Sequence, residues 1–132
     1  MIVLANDGGG VRALSSLLIL REIERSLQRK GLHESKRPCD WIDLSVGTSG
    51  GGLNTLLLAR LRLSIQEAIS VMEESSEAIF KASLWSKIKG AIFKRARLNP
   101  AAFIEKLRQV IKKATGNEDT PLKESGEVRC KA

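Results

Sequence analysis

The chain has 132 residues, of which 42% are hydrophobic, so it is long enough for one domain with one buried core. Its formal net charge of +7 favours an anionic partner, either a membrane surface or nucleic acid, although such charge can also serve only to keep helix faces solvated. No apolar run approaches the roughly 20 residues of a membrane span. We therefore expect a soluble or peripheral protein.

Two cysteines, Cys39 and Cys130, and a single histidine, His33, lack the number and spacing of a zinc site. We interpret the cysteines as reduced thiols, with one disulfide between them as the alternative, and His33 as a solvated surface residue. Asp7 and the three glycines after it interrupt the N-terminal apolar run too early for a signal peptide. These features predict a cytoplasmic protein that can attach to membranes peripherally, and they suggest no cofactor.

The first half of the chain alternates between strand and helix patterns. A short apolar run at residues 2–5 ends in a glycine loop, and a helix is predicted over residues 13–29, closed by Gly31. Its expected apolar face consists of Leu14, Leu17, Leu18, Ile23 and Leu27. A second strand at residues 41–46, a second glycine loop and a helix at residues 51–61 follow. This order indicates an α/β fold with a parallel sheet whose strands are buried on both faces.

The second half is predicted to be mainly helical. Ser64 and Glu67 have the spacing of a capping box at the start of a helix that extends to about Ala82. The residues expected to face inward from this helix are Ile65, Ala68, Ile69, Met72 and Ile79. A further helix is expected over residues 100–115, with a proline in its first turn. After a polar loop, residues 128–132 have the pattern of a strand that is just beginning.

Residues 47–51 (GTSGG) match the G-x-S-x-G pattern, directly after a predicted strand and before a predicted helix. In that context a sharp turn lifts the serine hydroxyl out of the sheet, and the helix directs its positive end at the anion formed during acyl transfer. The pattern therefore predicts Ser49 as a nucleophile, in an elbow formed by Gly47, Thr48, Gly50 and Gly51. The alternative is a glycine-rich turn that only links strand to helix.

Residues 7–12 (DGGGVR) place three glycines after the first strand, and the backbone N–H groups of such a loop can bind phosphate or stabilise an oxyanion. A dinucleotide fingerprint needs a glycine at Ala13, and no Gly-Lys-Ser/Thr sequence follows. Because both glycine loops follow the carboxyl ends of parallel strands, we expect them to form one acyl-transfer site. The alternatives are a nucleotide site and a tight turn without chemistry.

The two motifs, together with residues 40–43 (DWID), resemble the patatin-like phospholipase family over residues 2–80. The resemblance implies a three-layer αβα sandwich around a parallel sheet. It also implies a serine acyl hydrolase that cleaves phospholipids, lysophospholipids or acylglycerols through a Ser–Asp dyad. Such a dyad explains why no histidine follows Ser49, as it would in a conventional α/β-hydrolase triad.

Carried over to this chain, the resemblance makes Ser49 the nucleophile. It assigns the oxyanion loop to Gly8, Gly9, Gly10 and Arg12. The aspartate of the family dyad lies in a D-G-[GA] motif after the nucleophile, whereas the only aspartate after Ser49 in this chain, Asp119, precedes Thr120. We therefore expect a lipid-ester hydrolase domain that lacks its acid and is inactive by itself.

The resemblance predicts one partial patatin-like domain over residues 1–132, truncated at its C-terminal end. Its expected parts are a motif-bearing core at 1–80, a basic helical segment at 81–116 and a beginning strand at 128–132.

Within residues 81–97, six basic and no acidic residues accompany apolar residues at helical spacing. This pattern predicts contact with an anionic membrane surface, or else packing onto the sheet. Lipid is the expected substrate, and nucleic acid is not an expected partner. The alternative functions are a catalytically inactive lipid- or membrane-binding module and a nucleotide-binding α/β domain.

Overall fold

The computed structural model describes residues 1–32, 37–88, 100–123 and 130–132. The chain divides into two compact units. The first unit comprises Met1–Ser70 and Pro121–Ala132, and it contains the sheet and both glycine loops. The second unit, Val71–Thr120, is helical in its described residues up to Thr115, and a turn follows.

Two parallel strands form the sheet of the first unit. Strand β1 spans Val3–Asn6 and strand β2 spans Leu44–Gly47, and the first residues of the two strands pair with each other, as do the last. On the opposite edge of β2, Lys131 forms a parallel bridge to Leu44. Two backbone hydrogen bonds hold this bridge, from the Lys131 N–H to the Asp43 carbonyl (3.0 Å) and from the Ser45 N–H to the Lys131 carbonyl (2.8 Å).

Strand β2 begins three residues later than the sequence pattern predicted. Residues Pro38–Asp40 form a 3₁₀ turn, and the Pro38 carbonyl accepts hydrogen bonds from the N–H groups of Trp41 (3.1 Å) and Ile42 (2.9 Å). Proline fixes its φ near the helical value, so it favours the first turn of a helical segment. The apolar residues at 41–42 therefore close this turn instead of extending the strand.

Helix α1 spans Ala13–Arg29 and ends at the predicted stop, where Gly31 has a left-handed φ of +65°. Its buried face differs from the predicted one, because Leu18 and Ile23 are 36% and 47% exposed. The buried residues of this helix are Ala13, Leu17 and Leu20. These three lie within one narrow stripe at helical spacing, so the predicted face was too broad.

Helix α2 spans Gly50–Thr55 and continues as a π-helical turn over Leu56–Arg60. It packs against both strands and against α1. On the other face of the sheet, Val3 and Val46 are 48% and 44% exposed. The predicted α/β fold with a parallel sheet is confirmed. Its strands, however, are not buried on both faces as predicted, because Val3 and Val46 are exposed on one of them.

Helix α3 spans Ile65–Ile88 and begins with the predicted capping box. The Ser64 hydroxyl accepts the Glu67 N–H (3.3 Å), and the Glu67 carboxylate accepts the Ser64 N–H (2.8 Å). Four residues predicted to face inward are buried, namely Ile65, Ala68, Ile69 and Met72. The fifth, Ile79, lies outside the residues whose side chains are described.

Helix α4 spans Pro100–Thr115, as predicted, and Gly116 follows it with φ of +81°. In the second unit, Lys106 of α4 forms an ion pair with Glu74 of α3. The hydrogen bond and the charge of this lysine lower the pKa of the Glu74 carboxyl. No helix in the described parts of the chain is both long and apolar enough to span a bilayer.

Candidate active site

The two glycine loops meet at the carboxyl ends of the paired strands. Residues 7–12 follow β1, residues 47–51 begin in the last residue of β2, and the Thr48 N–H donates a hydrogen bond to the Asn6 carbonyl (3.3 Å). A Cβ atom added to Gly8 would lie 3.2 Å from the Cβ of Ser49. The predicted oxyanion loop and the predicted nucleophile are therefore neighbours, as expected for adjacent parallel strands.

Ser49 adopts a backbone conformation that side-chain-bearing residues rarely occupy, with φ of +52° and ψ of −126°. Such a conformation costs about 1–3 kcal/mol and persists only where the surroundings fix it. The Ser49 carbonyl accepts the Leu53 N–H (3.1 Å), which closes the first turn of α2. The chain thus passes from strand to helix within two residues, of which Ser49 is strained, and this is the geometry described for a nucleophile elbow.

Two glycines of this turn have no space for a side chain. A Cβ on Gly47 would collide with the backbone of Gly51, and a Cβ on Gly51 would collide with the backbone carbonyls of Asn6 and Asp7. Gly52 is different, because a Cβ there would approach only the Gly47 carbonyl, with its oxygen at 3.3 Å. The start of α2 is therefore pressed directly against the end of β1, which brings the two loops together.

The first glycine loop depends on conformations that favour glycine. Gly9 and Gly10 have φ of +146° and +59°, and the Arg12 N–H donates to the Gly9 carbonyl (3.2 Å) in the turn that leads into α1. A Cβ on Gly50 would lie 2.6 Å from the Gly10 carbonyl oxygen and 2.9 Å from the Cβ of Ala13. Glycine at position 50 therefore lets the elbow approach this loop closely. The Arg12 side chain is exposed.

A buried polar cluster lies beneath the two loops, between the sheet and α2. It consists of Asn6, Ser45 and Thr55, which are 5%, 1% and 7% exposed. The Asn6 amide nitrogen lies 3.4 Å from the Ser45 hydroxyl and 3.3 Å from the Thr55 hydroxyl, and these two hydroxyls lie 3.1 Å apart. Sequence reasoning missed this cluster. The available signal was a polar residue on the buried face of each strand, where apolar residues are usual.

Helix α2 is also joined to α1 by a buried amide. The Asn54 side chain is fully buried, and its amide nitrogen donates to the Ala13 carbonyl (2.9 Å) at the start of α1. Its amide oxygen is buried and makes no hydrogen bond to any of the described residues. Since α1 follows the first glycine loop and α2 follows the second, this bond holds together the two helices that emerge from the site.

Two aspartates that could be considered as the acid, Asp43 and Asp119, make other contacts. Asp43 precedes β2 and so lies at the opposite end of that strand from Ser49, where its carboxylate accepts the Ile2 N–H (2.6 Å). Asp119 belongs to the second unit, and its N–H donates to the Asn117 side chain (3.0 Å). His33 lies outside the described residues.

Cys39 and Cys130 are not joined to each other by a disulfide. Cys39 and Cys130 are both buried, in one apolar cluster with Ile42 and Ala59. Burial, and then the charge of neighbouring Asp40, raises the pKa of the Cys39 thiol. The part of the chain that the structure describes contains no group of three or more metal-ligating side chains.

The fold belongs to the class of α/β proteins with a parallel sheet and loops grouped at the carboxyl ends of the strands. The profile of the family described as "Patatin-like phospholipase" matches residues 4–129. The chain therefore belongs to the patatin-like phospholipase family, and the family predicted from the two motifs is confirmed.

Several curated proteins are similar to this chain. The "cGAMP-activated phospholipase" of Escherichia coli (strain TW11681) is 36% identical over 118 residues, which cover 89% of this chain and 32% of that protein. A protein of the same description from Vibrio cholerae is 31% identical over 120 residues, which cover 89% of this chain and 34% of that protein. "Patatin-like protein 4" of Arabidopsis thaliana is 36% identical over 89 residues, covering 63% and 22%. The chain thus spans about a third or less of these relatives' length. No solved structure matches it significantly.

Proposed function

We propose that the protein containing this chain is a serine hydrolase of lipid esters with Ser49 as its nucleophile. The observation that carries the proposal is the strained backbone of Ser49, at φ of +52° between a strand and a helix. A turn that only linked the two elements could use glycine there and avoid the cost of about 1–3 kcal/mol. Membership of a phospholipase family supports the same chemistry.

In the proposed reaction, the Ser49 oxygen attacks the ester carbonyl carbon and its proton passes to a carboxylate base. The carbonyl oxygen becomes an anion, and the backbone N–H groups of the loop Gly8, Gly9 and Gly10 donate hydrogen bonds to it. The Arg12 side chain lies at the end of this loop. Collapse of the intermediate breaks the ester bond, and the leaving oxygen takes the proton from the base, so that the alcohol part of the lipid is released. Water, deprotonated by the same carboxylate, then hydrolyses the acyl-enzyme and restores the Ser49 hydroxyl.

The proposed reaction also needs a carboxylate base that accepts the Ser49 proton. Asp43 is at the wrong end of β2, and no aspartate after Ser49 precedes a glycine in this sequence. We propose that an aspartate outside residues 1–132 supplies the base. The isolated 132-residue chain is then expected to show no turnover, because a serine hydroxyl without a base is a weak nucleophile.

The decisive experiment compares Ser49→Ala with Ser70→Ala in the complete gene product. Ser70 is a suitable control because its hydroxyl donates to the Gln66 carbonyl of its own helix (3.2 Å), away from both loops. Phospholipid, lysophospholipid and acylglycerol hydrolysis should vanish only in Ser49→Ala, and a fluorophosphonate probe should label only Ser49. Turnover that survives in Ser49→Ala contradicts the assignment. Binding to vesicles without labelling of Ser49 would favour the catalytically inactive lipid- or membrane-binding module. Binding of a nucleotide would favour the nucleotide-binding α/β domain.

We also propose that residues 81–97 contact an anionic membrane surface, from a cytoplasmic location. Residues 89–97 and the side chains of residues 81–88 lie outside the described part of the structure, so the proposal is supported by the charge pattern alone. Each Lys or Arg near an anionic leaflet contributes about 1 kcal/mol. The fraction of protein that sediments with vesicles rich in anionic lipid should therefore be smaller for Lys87→Glu/Lys94→Glu than for wild type. Binding that does not change with lipid charge, with salt or with these substitutions would show that residues 81–97 are not the membrane contact.

A further inference from the structure

The cluster of Asn6, Ser45 and Thr55 occupies an unusual place for polar groups. Strands of a parallel sheet are generally apolar on a buried face, because an unpaired polar group there is costly. Here three polar side chains from β1, β2 and α2 lie together under the loops and satisfy one another within 3.4 Å. The Asn6 amide group donates to both hydroxyls, so it joins all three elements at one point.

The position of Asn6 in the chain connects this cluster to both loops. Asn6 is the last residue of β1 and directly precedes the loop at residues 7–12. Its carbonyl oxygen accepts the Thr48 N–H (3.3 Å), one residue before Ser49. Its backbone carbonyl also forms part of the surface against which Gly51 packs. A change in the position of Asn6 would therefore move the glycine loop and the elbow relative to each other.

We propose that Asn6 is a positioning residue of the active site, whose buried amide fixes the oxyanion loop relative to Ser49 through Ser45 and Thr55. This inference depends on the proposed function, because it assigns Asn6 a part in the same reaction. Asn6 does not touch the substrate in this scheme. It acts through the placement of the backbone N–H groups that follow it.

Stability alone does not require an amide at this position. If leucine, which has the same branching at Cγ as asparagine but a larger volume, replaced Asn6, the hydroxyls of Ser45 and Thr55 could still bond each other, as they do at 3.1 Å. The loss of a buried polar group is least costly when its former partners keep a hydrogen bond, because the expensive case is a buried group left unsatisfied. A displacement of about 1 Å in a catalytic site, by contrast, can lower the rate about 10²-fold. A purely structural role of Asn6 therefore predicts a small effect on the rate, whereas a positioning role predicts a large one.

The test uses the complete gene product with Asn6→Leu and Thr55→Val, and Ile65→Val as the control. Thr55→Val keeps the side-chain shape and removes the hydroxyl that accepts from Asn6. Ile65 is 1% exposed and has no place in the loops, so its variant reports general destabilisation. We expect kcat for ester hydrolysis to fall about 10²-fold in Asn6→Leu, with KM changed less than about threefold, as for a lost oxyanion interaction. Thr55→Val should show the same pattern at a smaller size, and Ile65→Val should leave kcat unchanged.

A second measurement does not depend on activity. Site-resolved amide hydrogen exchange at Gly8–Gly10 and Thr48 should speed up in Asn6→Leu and stay unchanged in Ile65→Val. Unchanged kcat, or unchanged exchange in both loops, overturns the inference. An equal loss of kcat in Ile65→Val would also overturn it. If wild type shows no Ser49-dependent turnover, the proposed function fails, and exchange then decides whether Asn6 holds the loops.

Discussion

The close approach of α2 to β1 predicts opposite effects for two neighbouring glycines. An alanine at position 51 would place its Cβ 2.6 Å from the Asp7 carbonyl oxygen and nearer still to that of Asn6. Both obstacles are backbone atoms, so no side-chain rotation can relieve the contact. Overpacking of this kind costs about 1–3 kcal/mol, occasionally more, whereas alanine gains up to about 1 kcal/mol over glycine within a helix. We expect Gly51→Ala to lower the free energy of unfolding by about 2 kcal/mol.

Gly52→Ala is the matched control, because its Cβ would meet only the Gly47 carbonyl, with the oxygen at 3.3 Å. The helix preference of alanine should then dominate, with a change between about zero and a gain of about 1 kcal/mol. Urea denaturation can be followed by site-resolved alkylation of Cys39, which is buried in the same unit. Equal midpoints for Gly51→Ala and Gly52→Ala would refute the packing of α2 on the end of β1.

Two further predictions concern the glycine loop and the buried thiol. Gly9→Val should lower kcat by about 10²-fold or more, because φ of +146° is strained for valine and a displaced N–H can no longer donate to the oxyanion. If only KM rises, the loop binds substrate and does not stabilise the transition state. The pKa of Cys39 is raised above the ordinary value of 9.0, so the unfolded thiol ionises first and stability should fall as the pH rises above that value. Between pH 7 and 10, the urea midpoint of Cys39→Ala should decline less than that of wild type. An identical decline would show that ionisation of Cys39 does not cause the loss of stability.

The features that the sequence predicted well are those determined by residues within short segments of the chain. The capping box at Ser64 and the stop at Gly31 each depend on residues within one or two turns, and both occur where expected. The two glycine loops were likewise located by motifs that directly follow apolar runs. Their proximity followed from one general rule, that parallel neighbouring strands end on the same edge of the sheet.

The features that were missed depend on contacts between distant residues. Asn6 and Thr55 are 49 positions apart and meet only because β1, β2 and α2 adopt a particular register. The exposure of Leu18 and Ile23 depends on where α1 packs, which its own pattern leaves ambiguous. The late start of β2 was readable in principle, since Pro38 favours a helical turn over a strand.

The strained backbone of Ser49 leads to a prediction that separates function from stability. Glycine adopts φ of +52° and ψ of −126° at little cost, so Ser49→Gly should recover much of the roughly 1–3 kcal/mol stored there, less up to about 1 kcal/mol for the greater freedom of the unfolded chain. Ser49→Ala keeps the strain, because it keeps a Cβ, and should leave stability near that of wild type. Both variants remove the proposed nucleophile. We therefore expect Ser49→Gly to have a higher urea midpoint than Ser49→Ala, with ester hydrolysis absent from both. A midpoint for Ser49→Gly at or below that of Ser49→Ala would show that the elbow stores no strain, and the principal structural argument for Ser49 as nucleophile would then be lost.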